Sequence, residues 1–123
     1  MSFTLTDKHR DRIREARDFW LATVKADASA HLVPIWAVLV DDLFYMGTAP
    51  RSLKVRNMLA HPRVALALPD TRSSVIFEGR ATILSGSPPT GVLERFQEKY
   101  DWSFQPDEEW ILVQFVPQKV LSW

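Results

Sequence analysis

Cysteine is absent from the chain. That excludes disulfides, a thiol nucleophile and any metal site built on sulfur. The absence suits a reducing compartment. Net charge is absent too, because Lys plus Arg and Asp plus Glu each number 15. A dedicated nucleic-acid or membrane-surface binder normally carries a basic excess, so neither is expected. No stretch is long and apolar enough to span a bilayer. The first twenty residues, MSFTLTDKHRDRIREARDFW, carry charges where a signal peptide needs its apolar segment. A cytoplasmic protein is expected. Internal repeats, low-complexity tracts and linker-like segments are missing as well. The three His residues, His9, His31 and His61, are scattered without metal spacing, so no metal is expected. The Ser residues lack a nucleophile elbow.

What remains is an ordinary globular composition, 46% apolar and 24% charged over 123 residues. This is the size of one domain, residues 1–123, able to bury a core without staples. Aromatics are abundant, with five Trp and seven Phe. Large aromatics on an uncharged chain point to a buried self-association surface.

The patterning is mainly β. Thr6 to Arg17 reads as a helix capped by Thr6 with Asp7 in its first turn. FWLATVK (19–25) mixes aromatic and β-branched residues and reads as a strand. HLVPIWAVLV (31–40) reads as a second strand, and Pro34 inside it demands an edge or a bulge. Asp41 and Asp42 turn it into a third strand at Leu43 to Met46. RVALAL (63–68) reads as a strand buried on both faces. SSVIFEGRATIL reads as a long strand in which Gly79 marks a bulge or a close approach. Glu78 and Arg80 share its outer face. Thr90 to Lys99 reads as a helix, Tyr100 to Glu109 as an aromatic and acidic loop, and Trp110 to Val116 as the last strand. VPQKVLSW reads as a tail. About six strands with few helices predict a small barrel with helical trimmings, closed so that no edge is left bare.

The segment richest in chemistry is TAPRSLKVRNMLAHPRV, Thr48 to Val64. Pro50 suits a helix start, where its missing N–H costs nothing. Thr48 or Ser52 can cap that helix. Leu53, Val55, Met58 and Leu59 can pack it on the sheet. Arg51 and Lys54, three apart, and Ser52 and Arg56, four apart, fall on neighbouring turns. Cations and hydroxyls beside free helix N–H groups suit a phosphate. A basic surface helix is more commonly a solvated face, and only the rest of the chain tips the balance.

That balance is tipped by a linked set of segments: ATV, VP-W, T-x-x-R-S-x-K-x-R-N, PRV and EGRA, in order and with matching spacing. The set resembles the pyridoxamine 5′-phosphate oxidase-like family of flavin-binding split β-barrels, over nearly the whole chain. The resemblance implies a six-stranded split barrel and a homodimer with cofactors at the subunit interface. FMN is the implied cofactor, with the related deazaflavin, coenzyme F-420, as the alternative. It implies that Val33, Pro34, Ile35 and Trp36 run beside the ring. Tyr45 and Thr48 would flank the ribityl-phosphate. Arg51, Ser52 and Lys54, with Arg56 as a further candidate, would hold the phosphate. Trp110 and the tail up to Trp123 would form partner-side walls. The implied activity is hydride or electron transfer to or from a small-molecule substrate. Alternatives on the same barrel are a deazaflavin-dependent reductase and a non-catalytic flavin- or haem-binding protein. Two departures stand out. DASAH (27–31) replaces the Gly-containing first hairpin turn of many relatives. The longer C-terminal segment of true pyridoxamine phosphate oxidases is lacking, which favours the deazaflavin branch or another substrate.

Overall fold

A computed structural model describes residues 3–123. Its elements run α1 (Asp7–Glu15), β1 (Phe19–Val24), β2 (Ala30–Ile35), β3 (Val38–Val40), β4 (Leu43–Thr48), α2 (Leu53–Ala60), β5 (Arg63–Ala67), β6 (Val75–Ile83), α3 (Val92–Tyr100) and β7 (Ile111–Ser122). The strands form one antiparallel sheet in the order β2-β1-β5-β6-β7-β4-β3, curled into a half-barrel. Among the described residues no helix is long and apolar enough to cross a membrane.

There are seven strands rather than six. The expected second strand is broken at Trp36 and Ala37, where the chain steps from one edge of the sheet to the other. The two edges are therefore joined by two residues, but β2 and β3 do not pair, and the barrel stays split instead of closing. Pro34 sits on edge strand β2, where its missing N–H breaks no inner ladder.

The curl encloses a core of Phe19, Leu21, Phe44, Met46, Leu66, Phe77, Val113 and Phe115. Residues of β1 and β6 alternate between this core and the outer face, as the strand period of two requires. Strand β5 alternates likewise. Val64 and Leu66 are buried while Ala65 and Ala67 are half-exposed, so its apolar run does not mean burial on both faces. A second cluster lies under α3, with Tyr45, Val38, Val92, Phe96, Tyr100, Phe104 and Leu112.

Turns follow local chemistry. Asp41 and Asp42 both take left-handed backbone, φ 52° and 64°, which makes a tight two-residue hairpin between β3 and β4. Asp42 then holds the Arg10 side chain in a two-pronged contact, Nε and Nη2 each donating at 2.8 Å. Thr6 caps α1 as expected, and His9 returns the bond: Thr6 Oγ1 accepts from the His9 N–H, and His9 Nδ1 accepts from the Thr6 N–H. Gly79 stands at a register shift between β6 and β7. A Cβ there would collide with the carbonyl oxygen of Val116. Pro117 pairs with Gly79 at this irregularity, so β7 runs on to Ser122. The expected tail is thus a strand, because Pro is tolerated at a bulge.

Candidate functional site

Helix α2 begins later than its sequence suggests. Pro50 and Arg51 lie in the turn, Ser52 occupies the N-cap position, and the helix proper starts at Leu53. Ser52 supplies no side-chain cap. Its hydroxyl donates to the Ala49 carbonyl at 2.8 Å, which closes the turn instead. Val55 and Met58 anchor the helix, whereas Leu53 and Leu59 are exposed and do not pack on the sheet. Buried Asn57 adds a polar tie, Nδ2 donating to Thr23 Oγ1 at 3.0 Å.

Where α2 meets the end of β2 lies an open cleft of about 580 Å³. Its walls are Pro34, Ile35 and Trp36 from the split, Gly47, Thr48 and Ala49 from the end of β4, Lys54 from α2, Asp18 ahead of β1, and Trp102 and Trp110 from the loop after α3. Six residues expected from the sequence are brought together: Pro34, Ile35, Trp36, Thr48, Lys54 and Trp110. Lys54 is partly buried, and desolvation pushes its ammonium below the ordinary lysine value. It makes no ion pair among the described residues. Thr48 is buried beside it, its hydroxyl 3.5 Å from that of Ser52. A cation and a hydroxyl on one side suit an oxyanion.

Much of the remaining lining is aromatic. Trp36 stacks on Tyr100 with ring centroids 4.5 Å apart and planes within 5°. Its Nε1–H donates to Asp18 Oδ1 at 3.2 Å. Trp102 meets Trp36 at 74° and Trp110 at 77°, and stacks on Phe104 at 4.3 Å. The rings approach β4 because Gly47 has no side chain. A Cβ there would lie 2.9 Å from Trp102 Cη2.

The other expected residues stand apart. Val33 is half-buried and packs on the barrel core. Tyr45 differs from its expectation: it is buried in the α3 cluster, where its hydroxyl accepts from Gln114 Nε2 at 3.0 Å. The alternation of β4 decides this, since Thr48 and Tyr45 must point to opposite faces. Arg51 and Arg56 are exposed, and neither they nor Ser52 line the cleft. His31 does not line it either, and its buried Nδ1 has no hydrogen-bond partner. Trp123 is 72% exposed and lies outside it. Asp18, Gly47, Ala49 and Trp102 were not anticipated. Of these, Trp102 carried a signal, as one of the aromatics in the aromatic and acidic loop.

The comparisons with known proteins agree with this architecture. A family model described as pyridoxamine 5′-phosphate oxidase matches residues 5–118. The chain belongs to this family. Among solved structures, a conserved hypothetical protein of Mycobacterium tuberculosis superposes on the family member described here with a TM-score of 0.82. It is 24% identical and covers 99% of this chain and 86% of its own. HutZ, the haem storage protein of Vibrio cholerae, gives 0.76 at 15% identity, covering 97% and 94%. An F-420 reductase gives 0.76 at 18% identity, covering 95% and 98%. At these identities the likeness is one of fold. No curated protein matches the chain.

Proposed function

We propose that the chain is a flavin-type oxidoreductase that holds FMN, or its deazaflavin relative, in the cleft between α2 and Trp36. The observation that carries this reading is Lys54, a half-buried ammonium on the cleft wall that makes no ion pair among the described residues, beside the hydroxyl of Thr48. A buried cation without a counter-ion is costly unless a ligand provides one. A cofactor phosphate suits that end, held by Lys54 and Thr48, with Arg51 and Arg56 adding a positive field from outside and Ser52 closing the turn behind Thr48. The cleft volume lies within the range of about 300–1,000 Å³ usual for small-ligand sites. Pro34, Ile35 and Trp36 offer a flat strand end and an indole for a planar ring, and Trp110 bounds its outer side.

When bound, such a cofactor supplies the hydride or electron transfer. The chain's task is to hold the phosphate, orient the ring and limit water. The family membership and the fold shared with an F-420 reductase support the reading. A homodimer belongs to it. Trp20 and Leu32 lie 43% and 60% exposed on the outer face beside the free β2 edge, and a second copy would cover both and complete the cleft.

The fold shared with a haem storage protein gives a second reading, a haem-binding barrel. Among the described residues of one copy no His lines the cleft to serve as an axial ligand, which favours FMN or deazaflavin. The visible spectrum of the purified protein, followed by titration with FMN, deazaflavin and haem, separates the readings. Flavin or deazaflavin binding that is lost in Lys54→Ala supports the first. A Soret band with no flavin binding overturns it.

A further inference from the structure

A second pocket, of about 190 Å³, opens between α1 and the ends of β6 and β7 and shares no residue with the cleft. Its charged side chains are all of one sign. Lys8 and Arg12, one helical turn apart, bring two cations, and among the described residues no Asp or Glu lines the pocket. We infer that this pocket binds a small phosphate monoester, at a site separate from that of the proposed cofactor.

The two cations are unmatched. Helix α1 carries carboxylates of its own, but Asp7 pairs with Arg10 and Asp11 with Arg14. Neither Lys8 nor Arg12 makes an ion pair among the described residues. Asp70 lies near enough to feel the charge of Arg12, yet its hydrogen bonds come from Arg72. Arg12 donates to uncharged partners instead, Nη1 to Ser73 Oγ at 3.2 Å and Nη2 to the Ser73 carbonyl at 2.7 Å. These bonds hold the planar fork in place and leave its other N–H donors free. Because Ser73 Oγ accepts from Arg12, its own O–H is left to donate.

His9 adds a donor of fixed identity. Its Nδ1 accepts the Thr6 N–H, so the proton of the neutral ring sits on Nε2. The ring stands edge-on to Phe77, with centroids 5.8 Å apart. Burial, and then the charges of Lys8 and Arg12, hold its pKa below the ordinary histidine value. The pocket thus bears an uncompensated positive field, which a bound anion would relieve.

The donors come from separate elements, α1, the loop before β6, and the end of β7, where Ser122 adds a hydroxyl. A carboxylate presents two oxygens in one plane. A phosphate monoester presents three strong acceptor oxygens and close to two charges, which matches such a set better. At about 30 Å³ per water the pocket has room for roughly six, enough for one such group but not for a dinucleotide. Trp123 also lines the pocket and offers an indole to the organic part of the ester.

The test follows the His9 ring signals by NMR in the full chain. Phenyl phosphate, inorganic phosphate or acetate is added at one pH and one ionic strength. The expected result is saturable movement of the His9 signals towards the protonated form with phenyl phosphate, inorganic phosphate binding about threefold more weakly and acetate at least about tenfold more weakly. Arg12→Gln should weaken phenyl phosphate by roughly tenfold or more. If losing the Ser73 contacts unfolds that variant, Lys8→Gln, at an exposed side chain, should still weaken it by about threefold or more. Lys54→Ala, in the cleft, should leave the His9 response as it is. No saturable movement, acetate as effective as phenyl phosphate, or a response unchanged in Lys8→Gln overturns the inference. A response lost in Lys54→Ala overturns it as well, because the phosphate would then act from the cleft and only the cofactor reading would stand. Pelleting of the chain with phosphatidic acid vesicles, without a response to phenyl phosphate, overturns it in favour of a lipid surface.

Discussion

The hydroxyl of Tyr100 accepts the backbone N–H of Ala37 at 3.0 Å, across 63 residues of sequence. The same hydroxyl donates to the Arg17 carbonyl at 2.7 Å. Next to it, the ammonium of Lys99 donates to the carbonyls of Ile13 and Ala37 at 3.0 and 3.2 Å. Ala37 lies where the chain crosses the split between the two sheet edges, so its peptide has no ladder partner. Two consecutive side chains at the end of α3 satisfy it instead, as buried backbone groups require. One of those side chains is also the backing of Trp36, so the clasp of the barrel and the wall of the cleft are one assembly.

Tyr100→Phe keeps the stack on Trp36 and removes the hydroxyl. It leaves the buried Ala37 N–H without its partner, and stability should fall by about 1–3 kcal/mol. Urea unfolding followed by fluorescence measures this. A change within error would mean that water replaces the phenol.

The clasp also predicts a pH profile. Burial lowers Lys99 from its ordinary 10.5 to about 8, with Arg17 adding to the effect and Asp18 opposing it. Between these values the unfolded chain binds more protons than the folded one, so stability rises with pH from about 8 to 10.5. Burial raises Tyr100 from 10.0 to about 12. Here the folded chain keeps a proton that the unfolded chain loses, so stability falls as pH climbs from 10.0 towards 12. Urea midpoints across this range should pass through a maximum near pH 10. Lys99→Met should flatten the rising limb, leaving the part that the lowered Lys54 contributes, and Tyr100→Phe should remove the falling one.

Gly79→Ala places a methyl against the Val116 carbonyl and the ring of Phe115. Backbone must shift in the central β6–β7 pairing, and the loss should be about 3 kcal/mol. Gly86→Ala is the contrast. No atom lies within 4 Å of a Cβ there, and its cost comes only from the positive φ of 80°. Thermal unfolding of both variants should rank Gly79→Ala as the more damaging.

For the proposed cofactor, Lys54→Ala should lower FMN or deazaflavin affinity roughly ten- to a hundredfold through loss of a charge-assisted bond. Arg51→Ala and Arg56→Ala remove exposed cations, and each should cost only about threefold, vanishing in high salt. Fluorescence titration at two ionic strengths distinguishes these outcomes. An Arg51 effect as large as that of Lys54 would mean that the turn closes over the ligand.

Much of the fold was legible because local chemistry and tertiary context agree. Thr6 as a cap, the Asp41–Asp42 turn, Pro34 at an edge and Gly79 at a bulge each depend on a residue's own backbone preferences. The misreadings have one source, distant contacts overriding local pattern. HLVPIWAVLV contains no Gly to mark a break, yet it splits at Trp36 because Tyr100 and Lys99 can satisfy Ala37. Pro117 reads as a strand stop, yet the bulge opposite Gly79 absorbs it. Within the cleft, TAPRSLK and VPIW were readable as a pair only through the family pattern. Asp18 and Trp102 enter from elements whose neighbours are set by the curl of the sheet, and no spacing along the chain encodes that. Tyr45 was misplaced by reading a motif without applying the alternation of its own strand.

The order of strands has a consequence for biosynthesis. Strand β4 pairs on one side with β3 and on the other with β7, the latest of the seven strands in chain order. Until residues 111–122 emerge, the β3–β4 hairpin presents Phe44 and Met46 with one flank unpaired, and Ala37 waits for residues 99 and 100. A nascent chain stalled before β7 thus carries an open, apolar strand edge. The interval before β7 reaches β4 is the one in which this barrel presents that apolar edge to aggregation, and the step that a chaperone would have to cover.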